Sequence, residues 1–232
     1  MTTSVAPLRG ICSMATRGLM DDLARQYHQH TGVSLSFLAT GGVDAARRVL
    51  EGEPFDIVVL ASDAIDQLVR AGKAAPASRV DLVRSGVGVA VGAGAEPPDV
   101  STGDALRDAV LAAPSIGYST GPSGVALVRL FERWGIADRI RDRLVQAPPG
   151  VAVGSLIERG DVALGFQQMS ELIGIGGIRL LGPLPDEVQI QTVFSAIPML
   201  GSEHLEAVGP LLDFMTSSDS IEAKRRHGME PA

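Results

Sequence analysis

The run Phe55-Asp56-Ile57-Val58-Val59-Leu60-Ala61 decides the fold class. Its apolar residues are nearly continuous, the pattern of a strand covered on both faces, and such strands belong to parallel sheets flanked by helices. A strand with one wet face would alternate instead. On its N-terminal side, Val43 to Leu50 reads as a helix stopped by Gly52, and Val33 to Leu38 alternates as a strand. Further back, Leu19, Met20, Leu23, Ala24 and Tyr27 recur at helical spacing until Thr31-Gly32, and Leu8 to Ser13 is another short apolar run. On its C-terminal side, Ser62 or Asp63 is placed to cap a helix carrying Ile65, Leu68 and Val69, which Gly72 closes. The order is βαβαβα, and that alternation predicts an α/β protein built on a parallel sheet.

The pattern then changes. Val80 to Val91 alternates for longer than an ordinary strand, and Ala93 to Ser101 is rich in Gly and Pro. A new series follows: a helix near Thr102–Ala112, a strand Ser115–Ser119, a helix Ser123–Trp134, a helix near Val153–Arg159 and a strand Val162–Phe166. Ile178–Leu181 and a second long strand, Val188–Ile197, precede two closing helices, Glu203–Met215 and Ser220–Arg226. Two long strands bracketing a middle series suggest a chain that leaves one lobe and returns to it. The expected division is residues 1–84 plus 192–232 against 85–191.

The 232 residues carry 45% hydrophobic and 20% charged side chains, a globular composition with enough material for two cores. Aromatics are only 4%, so those cores must be aliphatic. A net charge of −7 with scattered Lys and Arg argues against a nucleic-acid partner. The basic run Lys224-Arg225-Arg226-His227 sits where cations complement a helix C-terminus. The lone Cys12 excludes an intrachain disulfide and reads as a small core thiol. No stretch approaches the roughly 20 apolar residues of a membrane span. Met1 to Pro7 lacks the features of a secretory signal, so the expectation is a cytoplasmic protein, or a periplasmic one if the sequence is a trimmed mature form. No cluster has metal-ligand spacing, no nucleotide loop occurs, and no Gly-x-Ser-x-Gly elbow appears; no metal or cofactor is expected.

Several segments, in order, resemble the molybdate-binding proteins of ABC transporters. They are Leu19–Tyr27 with Thr31-Gly32-Val33; Ala45-Ala46-Arg47 through Glu51-Gly52 and Pro54–Val58; Ala61-Ser62-Asp63; Leu156–Gly160 with Ala163-Leu164-Gly165; and the tail Ala223–Met229. The resemblance spans nearly the whole chain. It implies the two-lobed type II periplasmic-binding-protein fold, each lobe a mostly parallel sheet flanked by helices, with a small anion bound in the inter-lobe cleft. An ABC permease would be the partner. In that family serine hydroxyls, helix-start amides and one tyrosine hold an oxyanion, and helix N-termini suit that task because they offer free N–H donors.

Carried onto this chain, the first-strand loop is Ser13-Met14-Ala15-Thr16-Arg17, with Ala15 at the family's serine and Ser13 and Thr16 as stand-ins, and the second loop is Thr40-Gly41-Gly42. The third loop is Tyr118-Ser119-Thr120-Gly121-Pro122-Ser123, the densest run of small polar residues, where Ser123 could also be an N-cap. Gly150-Val151 falls on the fourth loop, and Gln168 stands where the tyrosine would be, with Gln167 beside it; side-chain amides there can bind or cap. These departures favour a carboxylated anion over molybdate, since Arg17 offers the planar fork that matches a carboxylate. A second function fits the same scaffold. Relatives of these receptors such as aconitate isomerase catalyse an allylic proton shift, which needs a general base; Tyr118, Glu171 and the histidines are the candidates. His28 and His30 read as a solvated helix end.

Overall fold

A computed structural model describes residues 7–232. In chain order the elements are β1 (Leu8–Ser13), α1 (Arg17–Thr31), β2 (Leu35–Thr40), α2 (Gly42–Leu50), β3 (Ile57–Ala61), α3 (Ser62–Arg70) and the long β4 (Val80–Gly92). Then come α4 (Gly103–Ala112), β5 (Ile116–Tyr118), α5 (Pro122–Arg133), α6 (Ala137–Ile140), β6 (Leu144–Gln146), α7 (Val153–Glu158), β7 (Leu164–Gln168), α8 (Met169–Leu172) and β8 (Ile178–Pro183). The chain closes with β9 (Gln191–Pro198), α9 (Leu205–Thr216), α10 (Ile221–Arg226) and β10 (Glu230–Pro231). It forms two compact units: the first runs to Arg84 and resumes at Val193–Ala232, and the second is Ser85–Thr192.

In the first unit β1 lies between β2 and β3, parallel to both, and β9 joins β3 antiparallel. The residues of β3 show why its run is so apolar. Ile57, Val59 and Ala61 enter one core with Cys12, Leu19, Leu23 and Phe194; Val58 and Leu60 enter a second with Ile11, Val49, Ile65 and Ile197. Strand alternation sends successive side chains to opposite faces, and helices cover both. Each fully buried Val, Leu or Ile contributes about 1.5–3 kcal/mol of transfer free energy. Phe55 and Asp56 stand just before the strand. The Asp56 carboxylate accepts from the Arg9 N–H (2.8 Å) and the Ser202 hydroxyl (2.6 Å), tying the bottom of β3 to β1 and to the segment after β9.

The second unit has its own parallel core, β6-β5-β7, with β4 antiparallel to β7 and β8 antiparallel to β4. Its strands also divide between two cores. Val87, Val89 and Val91 pack with Leu127, Phe131 and Phe166, whereas Ala90 packs with Val153, Ile157 and Leu172.

Several boundaries differ from the sequence reading. β2 begins at Leu35 rather than Val33, because Gly32 turns into the left-handed region (φ 74°) and donates back to His28, so the chain spends two more residues leaving α1. The strand expected from Val188 begins at Gln191, since Asp186–Val188 form a 3₁₀ turn. The short α6, β6, α8 and β10 carry too few residues to show a period and were not anticipated. Ser62 does not cap α3: Ala61 holds the cap position with no side-chain bond. The Ser62 hydroxyl instead donates to the Val193 carbonyl at 3.1 Å and lies 2.8 Å from Ser195 Oγ.

Candidate functional site

Parallel strands deliver their C-terminal ends to one edge, and the helix that follows each begins there with unpaired amides. In the first unit Ser13 and Thr40 are register partners at that edge. Gly42 opens α2 over Ser13: a β-carbon on Gly42 would lie 3.9 Å from that of Ser13. α2 has Gly41 at its cap position and no side-chain acceptor on its first N–H groups. Ser13 is nearly buried. Thr16 is wholly buried and donates to the Ser13 carbonyl (3.1 Å), with its oxygen 3.3 Å from Ser13 Oγ. Thr16 thus shapes the turn. The Thr40 hydroxyl donates to Asp44 Oδ2 (3.0 Å). Asp44 is held below the usual carboxylate range by hydrogen bonds from Arg47 and Thr40. Arg17 is exposed at the first turn of α1, 3.8 Å from Asp21.

In the second unit α5 starts from Gly121, with Pro122 first and again no side-chain cap. Ser123 therefore does not cap; its hydroxyl lies 3.4 Å from that of Ser119, and both hydroxyls are at the end of β5. Gly124 lets this loop close: a β-carbon there would come within 1.8 Å of the Ser119 carbonyl oxygen. Tyr118 is half-buried beside the core. Gly150 turns the next loop with φ 79°, and the Val151 N–H is taken by the Pro148 carbonyl at 3.0 Å.

The two glutamines turn inward. Gln167 Oε1 accepts from the Val153 N–H at the start of α7 (2.8 Å), and its Nε2 donates to Glu171 Oε1 (2.9 Å). Gln168, oriented so that both ends of its amide are satisfied, accepts from the Thr192 hydroxyl (2.8 Å) and donates to Ser85 Oγ (2.7 Å). Burial pushes the Glu171 carboxyl up to about 7, against the opposing pull of the Gln167 N–H. The structure thus groups Ser13, Thr16, Thr40 and Gly41-Gly42 in one unit, and Ser119 with Ser123 in the other. Arg17 lies at the margin, and Gln167 and Gln168 are committed to neighbours.

Sequence reasoning missed one polar chain. Ser195, fully buried, donates to Asp81 Oδ1 (2.6 Å) and meets Ser62 at 2.8 Å. The signal was available: Ser195 is the lone polar residue in Val193-Phe194-Ser195-Ala196-Ile197. Among the described residues, no three His, Cys, Asp or Glu side chains are grouped to hold a metal, and no helix is long and apolar enough to cross a membrane.

Helix starts without side-chain caps beside serines, on the carboxyl edges of parallel strands in two α/β units, describe a solute-binding scaffold. The chain belongs to the bacterial extracellular solute-binding protein family, which matches residues 8–230. It is 36% identical over 98% of its length to a Pseudomonas protein named aconitate isomerase, of which it covers 88%. Its fold is that of the periplasmic molybdate-binding protein of Azotobacter vinelandii (TM-score 0.79, 19% identity, 96% of this chain and 98% of that one). The sulfate-binding protein SubI of Mycobacterium tuberculosis is similar as well (TM-score 0.78, 16% identity, 98% and 88%). The type II periplasmic-binding-protein fold expected from the sequence is the fold observed.

Proposed function

We propose that this chain binds a small carboxylated anion through serine hydroxyls beside free helix-start amides: Ser13 with the amides that open α2 in the first unit, and Ser119 and Ser123 with the Ser123 N–H that opens α5 in the second. The carrying observation is that both helices begin without a side-chain acceptor, each beside a serine at the end of a parallel strand. Unpaired helix-start amides carry partial positive charge and attract anions. A carboxylate is favoured over a tetrahedral oxyanion for two reasons. The loops offer Ala15 and Gly41-Gly42 where a molybdate receptor has serines, and a relative with 36% identity is named for a carboxylated substrate. In the capture reading, the loaded protein delivers its ligand to an ABC permease on the outer side of the membrane, in keeping with the family description.

A melting screen with molybdate, tungstate, sulfate, citrate and cis- and trans-aconitate tests this. A carboxylate should raise the melting temperature. Ser123→Ala and Ser13→Ala should each weaken its binding by roughly 10- to 100-fold, the worth of one hydrogen bond to a charged group. Stabilisation by molybdate alone would refute the carboxylate assignment, and no response to any anion would refute the binding site.

A second reading, isomerisation of the bound carboxylate, is supported by the same relative. Proton NMR of trans-aconitate in deuterated water separates the two. Loss of a C–H signal or appearance of the other isomer supports the enzyme, and an unchanged ligand supports capture.

A further inference from the structure

We infer that Glu171 is the general base and acid of the isomerisation, taking a proton from one carbon of a bound unsaturated carboxylate and returning it to another. The inference rests on the second reading above. It starts from where Glu171 stands. β5 and β7 are parallel neighbours, Tyr118 pairing with Phe166, and the Ala147 N–H donates to the Tyr118 carbonyl (2.9 Å). The loops after β5, β6 and β7 therefore share one edge of the second unit. Ser119 and Ser123 lie on the first, Gly150-Val151 on the second, and Glu171 on α8 directly after the third.

The carboxyl is held by one oxygen only. Gln167 donates to Oε1 at 2.9 Å, and Gln167 itself cannot flip, because its own oxygen accepts the Val153 N–H at 2.8 Å. A fixed N–H therefore always faces Oε1. α8 is anchored from its other side: Met169 and Leu172 pack over Gly88, where a β-carbon would meet them at 2.4 and 3.4 Å. Among the described residues Oε2 has no hydrogen-bond partner, and it is not one of the fully buried polar atoms left without one, as Ser170 Oγ is. One oxygen pinned and one reachable is the arrangement a proton-transferring carboxyl needs.

The electrostatics agree. Burial, outweighing the Gln167 hydrogen bond, sets this carboxyl at about 7, where it can both accept and release a proton near neutrality. The charged residues of the elements packed against α8 are engaged elsewhere or exposed: Glu158 of α7 is exposed over Gly177, Arg179 of β8 donates to the Ala93 carbonyl (3.4 Å), and on β4 Arg84 donates to the Pro231 carbonyl (3.0 Å) while Asp81 accepts from Ser195 (2.6 Å).

The step balances without a co-reactant. Glu171 takes the proton from the saturated carbon next to the alkene, the electron pair of the broken C–H bond spreads into the carbon frame and its carboxylate, and the double bond moves by one position. The new O–H bond then breaks to protonate the far alkene carbon. Nothing is oxidised, and Glu171 ends as it began.

The test follows deuterium incorporation and isomer ratio in trans- and cis-aconitate by proton NMR between pH 5.5 and 8.5, with melting shifts reporting binding. Wild type should exchange, with the rate rising through a limb near pH 7. Glu171→Gln should lose at least about 100-fold of the isomerisation rate and of any exchange, the usual contribution of a general base, while trans-aconitate still raises its melting temperature. Isomerisation by Glu171→Gln within about threefold of wild type would overturn the role of Glu171 and leave isomerisation standing. Binding by wild type with neither exchange nor any change in isomer ratio would overturn isomerisation itself, and this role with it. If Glu171→Gln fails to fold, Glu171→Asp decides. A slowed reaction with a displaced pH limb supports the assignment, and an unmoved rate and limb overturn it.

Discussion

Gly124→Ala should destabilise the second unit and spoil its anion donors together, although the change adds only a methyl group to a helix. The new β-carbon would stand 1.8 Å from the Ser119 carbonyl oxygen and 2.8 Å from its carbon. Both are backbone atoms, so no rotamer change relieves the clash. Ser119 must withdraw by roughly 1.5 Å to restore ordinary separation. Overpacking of this kind costs about 1–3 kcal/mol, and a backbone obstacle puts the cost toward the top of that range. The gain in helix propensity from Gly to Ala, about 1 kcal/mol, acts in the opposite direction. A net loss of about 2 kcal/mol should lower the melting temperature by roughly 4–8 °C at about 2–4 °C per kcal/mol. Because Ser119 carries one of the two hydroxyls at the start of α5, anion affinity should fall as well. Gly92→Ala provides the contrast: the same chemical change, in the same unit, at a site with nothing within 4 Å. It should be neutral or stabilising by up to about 1 kcal/mol. Paired thermal melts with and without the best anion read both effects. A Gly124→Ala protein that melts with wild type and binds as tightly would refute the close approach of Ser119 to α5.

Four further outcomes are expected. Cys12 is buried and its thiol is pushed up to about 12, chiefly by burial, so it should resist thiol reagents in the native protein and react at the rate of unfolding; fast labelling of folded protein would contradict its placement. For Glu171, the folded carboxyl sits at about 7 against an ordinary value of 4.5, so the folded state holds the extra proton between those values. Stability should then be greatest below about pH 4.5 on this account and decline as pH rises through 7, by something like 1–3 kcal/mol; Glu171→Gln should flatten that decline in melts across pH. For Asp22, burial raises the carboxyl, but hydrogen bonds from Arg226, Gln26 and His227 outweigh it and bring it to about 2. Its contribution is present above the unfolded value of 3.8 and lost as pH falls toward 2, and Asp22→Asn should loosen α10 from α1 and cost about 1–2 kcal/mol by denaturant titration. Arg17→Ala should weaken carboxylates more than sulfate in calorimetry; equal losses for all anions would reduce Arg17 to a general charge effect.

The fold was legible because its main strand is not ambiguous. Phe55–Ala61 could have been a buried helix turn on periodicity alone, but Gly52-Glu53-Pro54 before it and Ser62-Asp63 after it limit it to strand length. Its side chains then feed two cores, as a doubly covered strand must. What could not be read were elements too short to carry a period. β6 is three residues, Leu144–Gln146, and becomes a strand only because β5 offers its edge to Leu144, Val145 and Gln146. That pairing is tertiary information, absent from any local window. The same holds for Asp186–Val188, which reads as the start of a strand and instead turns, with Val188 donating to the Pro185 carbonyl.

The candidate site was legible by place and less so by role. Sequence chemistry identifies which residues have donors to offer; it does not say which donors the fold has already consumed. Thr16 and Gln167 show the difference. Both have the right groups at the right strand ends, yet Thr16 spends its hydroxyl on the Ser13 carbonyl and Gln167 spends both ends of its amide on Val153 and Glu171. A buried polar side chain must find such partners or pay desolvation, so the more deeply a candidate ligand sits, the more probable it is that a neighbour holds it. The inference then runs in reverse for Glu171. It is the group at this edge that burial has perturbed and the fold has only half satisfied, and a half-satisfied acid at a strand's carboxyl end is where binding can pass into chemistry.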